Sequence, residues 1–193
     1  MRAILEYRRP KHAKLRKNMQ LIIRAAIRED IERIQSIYSY YVLNGYASFE
    51  ITPPDELEML KRWRLIKDHG YPYLVAETEG VVTGYAYATT FRQRPAYNLT
   101  LENSVYVSTK HLKRGVGVRL LNQLIEECTN LGFRQMIAVI GDSENYPSIN
   151  LHNRCGFEKV GVLPSTGFKH GRWVDTFLMQ RPLGDGDKKP PTN

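Results

Sequence analysis

The sequence predicts a single α/β (α+β) domain in which a mixed, mostly antiparallel sheet is flanked by helices. Three observations point to it. Strand-like and helix-like stretches follow in the order β, α, α, β, β, β, α, β, α, β, β, with no internal repeat. Three antiparallel-looking strands come before the longest amphipathic helix. The 193 residues, 42% hydrophobic and 25% charged, have the balance of a soluble globular chain able to bury one core.

Each element has its own signal. "QLIIRAAI" (20–27) has the β-branched and apolar content of a strand. "REDIERIQSIYSYYVLNG" places Ile31, Ile34, Tyr38 and Tyr41 at helical spacing, with Gly45 as a stop. "TPPDELEMLKRWRLIKDHG" predicts a second helix, capped by Thr52, with its prolines in the first turn and Gly70 at its end. "YPYLVAET" and "VVTGYAYATT" are strands joined by Glu79-Gly80, a hairpin signal. The loop "FRQRPAYN" leads to the strand "LTLENSVYVS". After "HLKRGVG", Val116, Leu120, Leu121, Leu124, Ile125, Cys128 and Leu131 form one apolar helix face, closed by Gly132. "RQMIAVIG" is apolar enough to be a central strand. "YPSINLHNRCGF" predicts a short helix ended by Gly156, and "EKVGVLPST" and "RWVDTFLMQR" are strands around the loop "GFKHG".

The apolar runs are too short to span a membrane, and no signal peptide is evident. Cys128 and Cys155 fit no metal spacing and read as reduced, packed thiols of a cytoplasmic protein. The net charge is +8, but residues 1–18 hold seven Lys/Arg against one Glu, which leaves +2 for the rest. Residues 1–18 therefore read as a basic extension without fixed structure, 19–183 as the domain and 184–193 as a disordered polar tail. A domain so nearly charge-balanced and without a recognition motif argues against nucleic acid as partner, and no membrane partner is expected.

The stretch "HLKRGVGVRLL" (111–121) carries the chemistry. A Walker loop needs Gly-Lys-Ser/Thr, and here the residues are Gly-Val-Arg. A dinucleotide fingerprint needs a third glycine where Leu120 stands. Two readings remain open. One is a loop whose backbone N–H groups, at a helix start beside Lys113 and Arg114, hold a pyrophosphate; the other is a tight turn that binds nothing.

"ENSVYVSTKHLKRGVGVRLLNQLIEEC" followed by "NYPSINLHNRCGF" resembles the acetyl-CoA-binding core of the Gcn5-related N-acetyltransferases. "ASFE", "GYAYATTFRQRPAY", "AVIGDSEN" and "GFKHGRWVD" are similar to the branch that acetylates phosphinothricin and methionine sulfoximine. The resemblance runs from about residue 20 to residue 182. It implies two central parallel strands that splay apart, with the pantetheine arm of acetyl-CoA pairing along Val105, Tyr106 and Val107. It also implies a pyrophosphate loop of Lys113, Arg114, Gly115, Val116, Gly117 and Val118, and a cofactor contact from Asn145. Leu112 departs from the Gln or Arg that usually opens that loop. The same resemblance implies acetyl-CoA as co-substrate, no metal, and a homodimer.

Glu102 matches a glutamate of this branch proposed as general base; a carboxylate suits removal of a proton from an ammonium. Its other reading is a solvent-facing strand charge, and its parity with Val105 would require a bulge to aim it into the cleft. His152 stands where many members carry a tyrosine that protonates the leaving thiolate; it could do that, act as a base, or be packed. Phe49, Tyr87, Arg92, Arg94 and Tyr97 match the acceptor pocket, where arginine suits a carboxylate; the other reading of Arg92 and Arg94 is a polar surface loop. Lys169 and His170, with Phe168 and Trp173, resemble a loop closing over the acceptor. The expected reaction moves an acetyl group to the amine of a small amino-acid analogue. The alternatives are another amine acceptor, such as a polyamine, protein N-terminus or lysine, or a CoA-binding module without turnover.

Overall fold

A computed structural model describes residues 20–191; the basic extension expected over 1–18 lies outside them. Seven strands form one sheet: β1 (Leu21–Ala25), β2 (Tyr73–Thr78), β3 (Val81–Thr90), β4 (Thr100–Val107), β5 (Gln135–Gly141), β6 (Glu158–Lys169) and β7 (Arg172–Pro182). Four α-helices cover it: α1 (Ile31–Asn44), α2 (Glu56–Asp68), α3 (Val116–Asn130) and α4 (Tyr146–Arg154). The strand order is β1-β2-β3-β4-β5-β7-β6. Every pairing is antiparallel except β4 with β5.

That exception positions the site. β4 and β5 pair only over Thr100–Asn103 and Gln135–Ala138. Beyond it, β4 runs on to Val107 and β5 to Gly141 without a partner between them. The strands splay, and the β4 edge facing the gap is left with unpaired backbone groups.

The sheet has two covered faces. On one, Leu101, Val107, Met136 and Ala138 pack against Leu120, Leu121, Leu124 and Cys128 of α3. On the other, Val75 and the rings of Tyr73 and Tyr85 pack against Ile34 and Val42 of α1 and Trp63 and Ile66 of α2. Alternation along β4 sends Leu101, Asn103, Val105 and Val107 to the α3 face and Glu102, Ser104 and Tyr106 to the other.

Local chemistry accounts for the connections. Glu79 and Gly80 both have positive φ, 52° and 78°, as a two-residue hairpin turn requires. His170 and Gly171, at 47° and 77°, make a second such turn, so β6 continues through Lys169 where a longer loop was expected. The cap of α2 is Asp55, whose carboxylate accepts from the Glu58 N–H at 2.8 Å. Thr52 and both prolines therefore precede the helix, a correction to the sequence expectation: a carboxylate is the better acceptor beside a helix N-terminus. Past Pro182 the chain continues in turns. Leu183 is buried and its N–H donates to Arg134 O, while the Arg134 guanidinium bonds to Gly186 O, so the segment expected to lack structure from 184 is anchored at its start.

Candidate active site

The gap between β4 and β5 opens into a cleft of about 170 Å³. Ser104, Val105, Tyr106 and Val107 of β4 line one wall, Ala138 through Gly141 of β5 the opposite one, and Asn145, Ser148 and His152 of α4 the end. Tyr41 Oη donates to Val107 O at 2.6 Å and fixes the end of the open edge. The cleft continues past Val107, Leu112, Pro147 and Leu151 into a groove of about 660 Å³ over the start of α3.

Lys113, Gly115, Val116, Gly117 and Val118 line that groove. Gly115 caps α3 with φ of 80°, a left-handed conformation that favours glycine. A Cβ on Gly117 would meet Leu151 Cδ2 at 3.3 Å, so this glycine also lets α3 sit close to α4. The first intrahelical N–H bond is Arg119 to Gly115 O, which leaves the N–H groups of Val116, Gly117 and Val118 directed at the groove. Val116 contributes backbone alone, because its side chain is buried in the core. Lys113 lines the groove, and Arg114 is exposed beside it. The groove also has Arg154, His111 and Tyr146, which were not expected. Arg154 had a signal: Pro147, Leu151 and Arg154 share one helix face. Free N–H groups, a helix N-terminus and basic side chains fit a pyrophosphate; the unpaired β4 edge fits an amide-bearing arm.

Asn145 is placed at the cleft by capping α4: its Oδ1 accepts from Ser148 N at 3.3 Å and its Nδ2 donates to Gly141 O at 3.3 Å. His152 is buried. Its Nδ1 lies 2.8 Å from Ser148 O and its Nε2 3.0 Å from Asn103 Oδ1, while Asn103 Nδ2 donates to Ile137 O at 3.0 Å. Burial pushes the imidazole pKa down, and the Ser148 carbonyl pulls against it. Both ring nitrogens face acceptor oxygens, so the neutral imidazole donates its one N–H to one of them, and Asn103 lies between α4 and the last paired residues of β4 and β5. Asn103 was missed, although a polar residue at the parity of Leu101 and Val105 was a readable sign of an inward polar contact.

Glu102 lies on the opposite face of β4, across from Thr89 and two register positions from the Tyr87–Ser104 pair. No bulge aims it: the β3–β4 register is unbroken from Gly84 to Thr90. The expectation of a bulge is corrected: the register is regular, and alternation alone puts Glu102 on the α1/α2 face, opposite to Val105. The carboxylate is half-buried, and burial pushes its pKa above the ordinary value while Arg92 opposes the shift. Tyr87 is near enough for Glu102 to help raise its phenol pKa, after burial.

The other expected acceptor residues divide into two groups. Phe49 joins the site from the loop after α1, its ring pressed against Gly141 and Gly167; a Cβ on Gly167 would come 2.6 Å from it. Lys169 is buried with its Nζ donating to Ser48 O at 2.6 Å, which straps the β6–β7 hairpin to that loop and commits the ammonium to backbone. His170 is exposed in the turn, edge-on to Tyr46. Arg92, Arg94 and Tyr97 lie on the exposed β3–β4 connection, Arg92 over the Phe91 ring and Tyr97 edge-on to it. Of these three, Arg92 alone is placed to influence Glu102. Among the described residues, no group of three or more His, Cys, Asp or Glu side chains could hold a metal ion, and no helix is long and apolar enough to cross a membrane.

Residues 23–178 match the acetyltransferase (GNAT) domain model. The chain is 50% identical to the phosphinothricin N-acetyltransferase of Alcaligenes faecalis, over 88% of this chain and 86% of that one. It is 38% identical to the L-methionine sulfoximine/L-methionine sulfone acetyltransferase of Salmonella typhimurium, over 86% and 96%. A crystal structure of a phosphinothricin acetyltransferase from Sinorhizobium meliloti in complex with acetyl-CoA superimposes with a TM-score of 0.88 at 50% identity, covering 91% of this chain and 95% of that one. The chain belongs to the GNAT family and is an N-acetyltransferase with that fold.

Proposed function

We propose that this acetyltransferase moves the acetyl group of acetyl-CoA to the α-amino group of a small amino-acid analogue of the phosphinothricin, methionine sulfoximine or methionine sulfone type. The observation that carries the reading is that one strand serves both substrates. The open edge of β4 at Val105–Val107 lines the cleft that leads to the α3 groove, and Glu102 of the same strand presents a half-buried carboxylate on the acceptor side. The names of the similar enzymes support the acceptor class.

In this reading acetyl-CoA lies with its pantetheine arm along β4 and its pyrophosphate over the N–H groups of Gly115–Val118, with Lys113, Arg114 and Arg154 adding positive charge. The acceptor arrives as an ammonium. Glu102 removes one proton, directly or through water, and the nitrogen lone pair attacks the thioester carbon. A C–N bond forms, the C–S bond breaks with its electron pair on sulfur, and the nitrogen gives up its extra proton, which the thiolate takes up to leave as the CoA thiol. Holding both reactants in line contributes as much as the base does. His152 acts here as a positioning residue, bracing Asn103 and α4 against the splay. Arg92 tempers the Glu102 pKa, and Phe49 and Tyr87 wall the acceptor.

The homodimer also belongs to this proposal. Val160, Leu163, Phe168 and Trp173 are exposed on the β6–β7 edge, a surface that pairing with a second copy would cover; a monomer mass in sedimentation would remove that part.

The test of the reaction is release of free thiol from acetyl-CoA in the presence of phosphinothricin, methionine sulfoximine and methionine sulfone separately. Stoichiometric thiol and N-acetyl product with at least one acceptor is the expected result. Tight acetyl-CoA binding with no release for any of the three would overturn the acceptor class.

A further inference from the structure

The groove over the start of α3 contains a titratable group that the reaction above leaves unused. His111 ends the short turn Thr109–His111, and its N–H donates to Ser108 O at 2.8 Å. It is half-buried and lines the groove beside Val107 and Leu112, neither of which brings a polar side-chain atom. Its Nδ1 is buried and has no hydrogen-bond partner among the described residues. The groove therefore meets the opposite edge of the ring, which carries Nε2.

The charges around that ring share one sign. Arg33 of α1, Lys110 of the same turn and Arg114 of the glycine loop all act on it, and all three are cations. Arg33 is held in place, its Nε donating to Val82 O at 3.1 Å and its Nη2 to Ser108 Oγ at 3.3 Å. Lys113 and, from α4, Arg154 and Tyr146 line the same groove. Burial and then the three cations hold the imidazole pKa below its ordinary value, so in the free protein the ring is neutral at neutral pH. A pyrophosphate brings negative charge against the same cations and reverses that balance. An imidazolium then has an anion to donate to, and a charge-assisted hydrogen bond is stronger than a neutral one.

We infer that His111 is a phosphate-binding residue of the cofactor groove, taking up a proton as the pyrophosphate enters and donating it to a phosphate oxygen. The inference rests on the pyrophosphate lying over the start of α3, as in the reading above, and adds a binding residue and a proton linkage. The sign follows from linkage. A group whose pKa rises on binding makes binding tighter as pH falls through the bound-state pKa, and the gain levels off below the free-state pKa. Cofactor binding and the base thus depend on pH in opposite directions, since Glu102 must be ionised to work.

The experiment is calorimetric binding of dephospho-CoA to the full chain and to His111→Gln, in buffers of different ionisation enthalpy. Dephospho-CoA keeps the pyrophosphate but lacks the 3′-phosphate monoester, which itself titrates near pH 6. The full chain should take up a proton on binding and gain about 3- to 10-fold in affinity from about pH 8 to about pH 6. His111→Gln should show neither, and its affinity should meet that of the full chain near the alkaline end. His111→Arg, with a permanent charge at the same place, should bind tightly with a flat pH profile. Proton uptake or a pH slope that persists in His111→Gln would overturn the inference, and so would equal weakening at every pH, which marks a structural role. No acceptor or turnover is involved, so failure of the acceptor reading leaves the result intact. Gly117→Leu tests the placement separately: it should weaken binding at every pH, and unchanged binding would overturn the placement and the inference with it.

Discussion

In the proposed reading, the donor and acceptor halves of this site are built from different material. On the donor side the working groups are backbone: the free edge of β4 and the N–H groups at the start of α3, exposed by Gly115 and Gly117. On the proposed acceptor side they are side chains gathered from separate segments: Phe49 from the loop after α1, Tyr87 from β3 and Glu102 from β4. A backbone site tolerates exchange of most side chains around it but not loss of its geometry. A side-chain site can change what it accepts through single substitutions while the fold stays the same.

Substitutions on one half should therefore leave the other half's constants alone. The largest effect is expected for Glu102→Gln: kcat falls by about 10²–10⁴-fold, the usual contribution of a general base, with acetyl-CoA affinity unchanged in calorimetry. A variant that loses acetyl-CoA binding as well would blur the division. Next, Gly117→Leu places a branched chain against Leu151 and over the groove. Acetyl-CoA binding should weaken by about 10-fold or more, while the acceptor Kd measured alone stays put. Gly167→Ala does the reverse, because its methyl displaces only the Phe49 ring. Acceptor KM should rise by about 3- to 10-fold with acetyl-CoA affinity intact. The smallest effect is that of His152→Gln on pH dependence. Rate and stability should fall through loss of the Asn103 brace, but the acid limb of kcat/KM should not move, since a positioning residue does not titrate in the mechanism; a shifted limb would make the imidazole a proton carrier.

The same contrast explains what the sequence reveals. The elements of the proposed donor half are legible because they are local: strand, glycine loop and helix are contiguous over 100–130, while the sequence alone leaves the loop open between an anion site and a tight turn. The element order is equally readable, since each run has its own period and its own turn residues, such as Glu79-Gly80. The acceptor half is only partly legible. Resemblance brings Phe49, Tyr87 and Glu102 to attention, but nothing local indicates that Lys169 is spent on Ser48 O, or that Arg92 lies near enough for its charge to act on Glu102. The Thr52 cap fails for a related reason, because choosing between Thr52 and Asp55 depends on where two prolines sit in space.

The central claim is that Glu102 is the general base, tuned by burial upward and by Arg92 downward. A base must be ionised to work, so activity is present above its pKa and lost as pH falls through it. Because burial raises that pKa, the loss should begin at a higher pH than for an ordinary carboxylate. Removing the Arg92 charge should raise it further. The direct measurement is the pH profile of kcat/KM for the unaltered enzyme and for Arg92→Leu, with one acceptor. The account predicts a single acid limb above the ordinary carboxylate range that moves to higher pH in Arg92→Leu. A limb that stays in place when Arg92 is removed, or one that survives in Glu102→Gln, would contradict it.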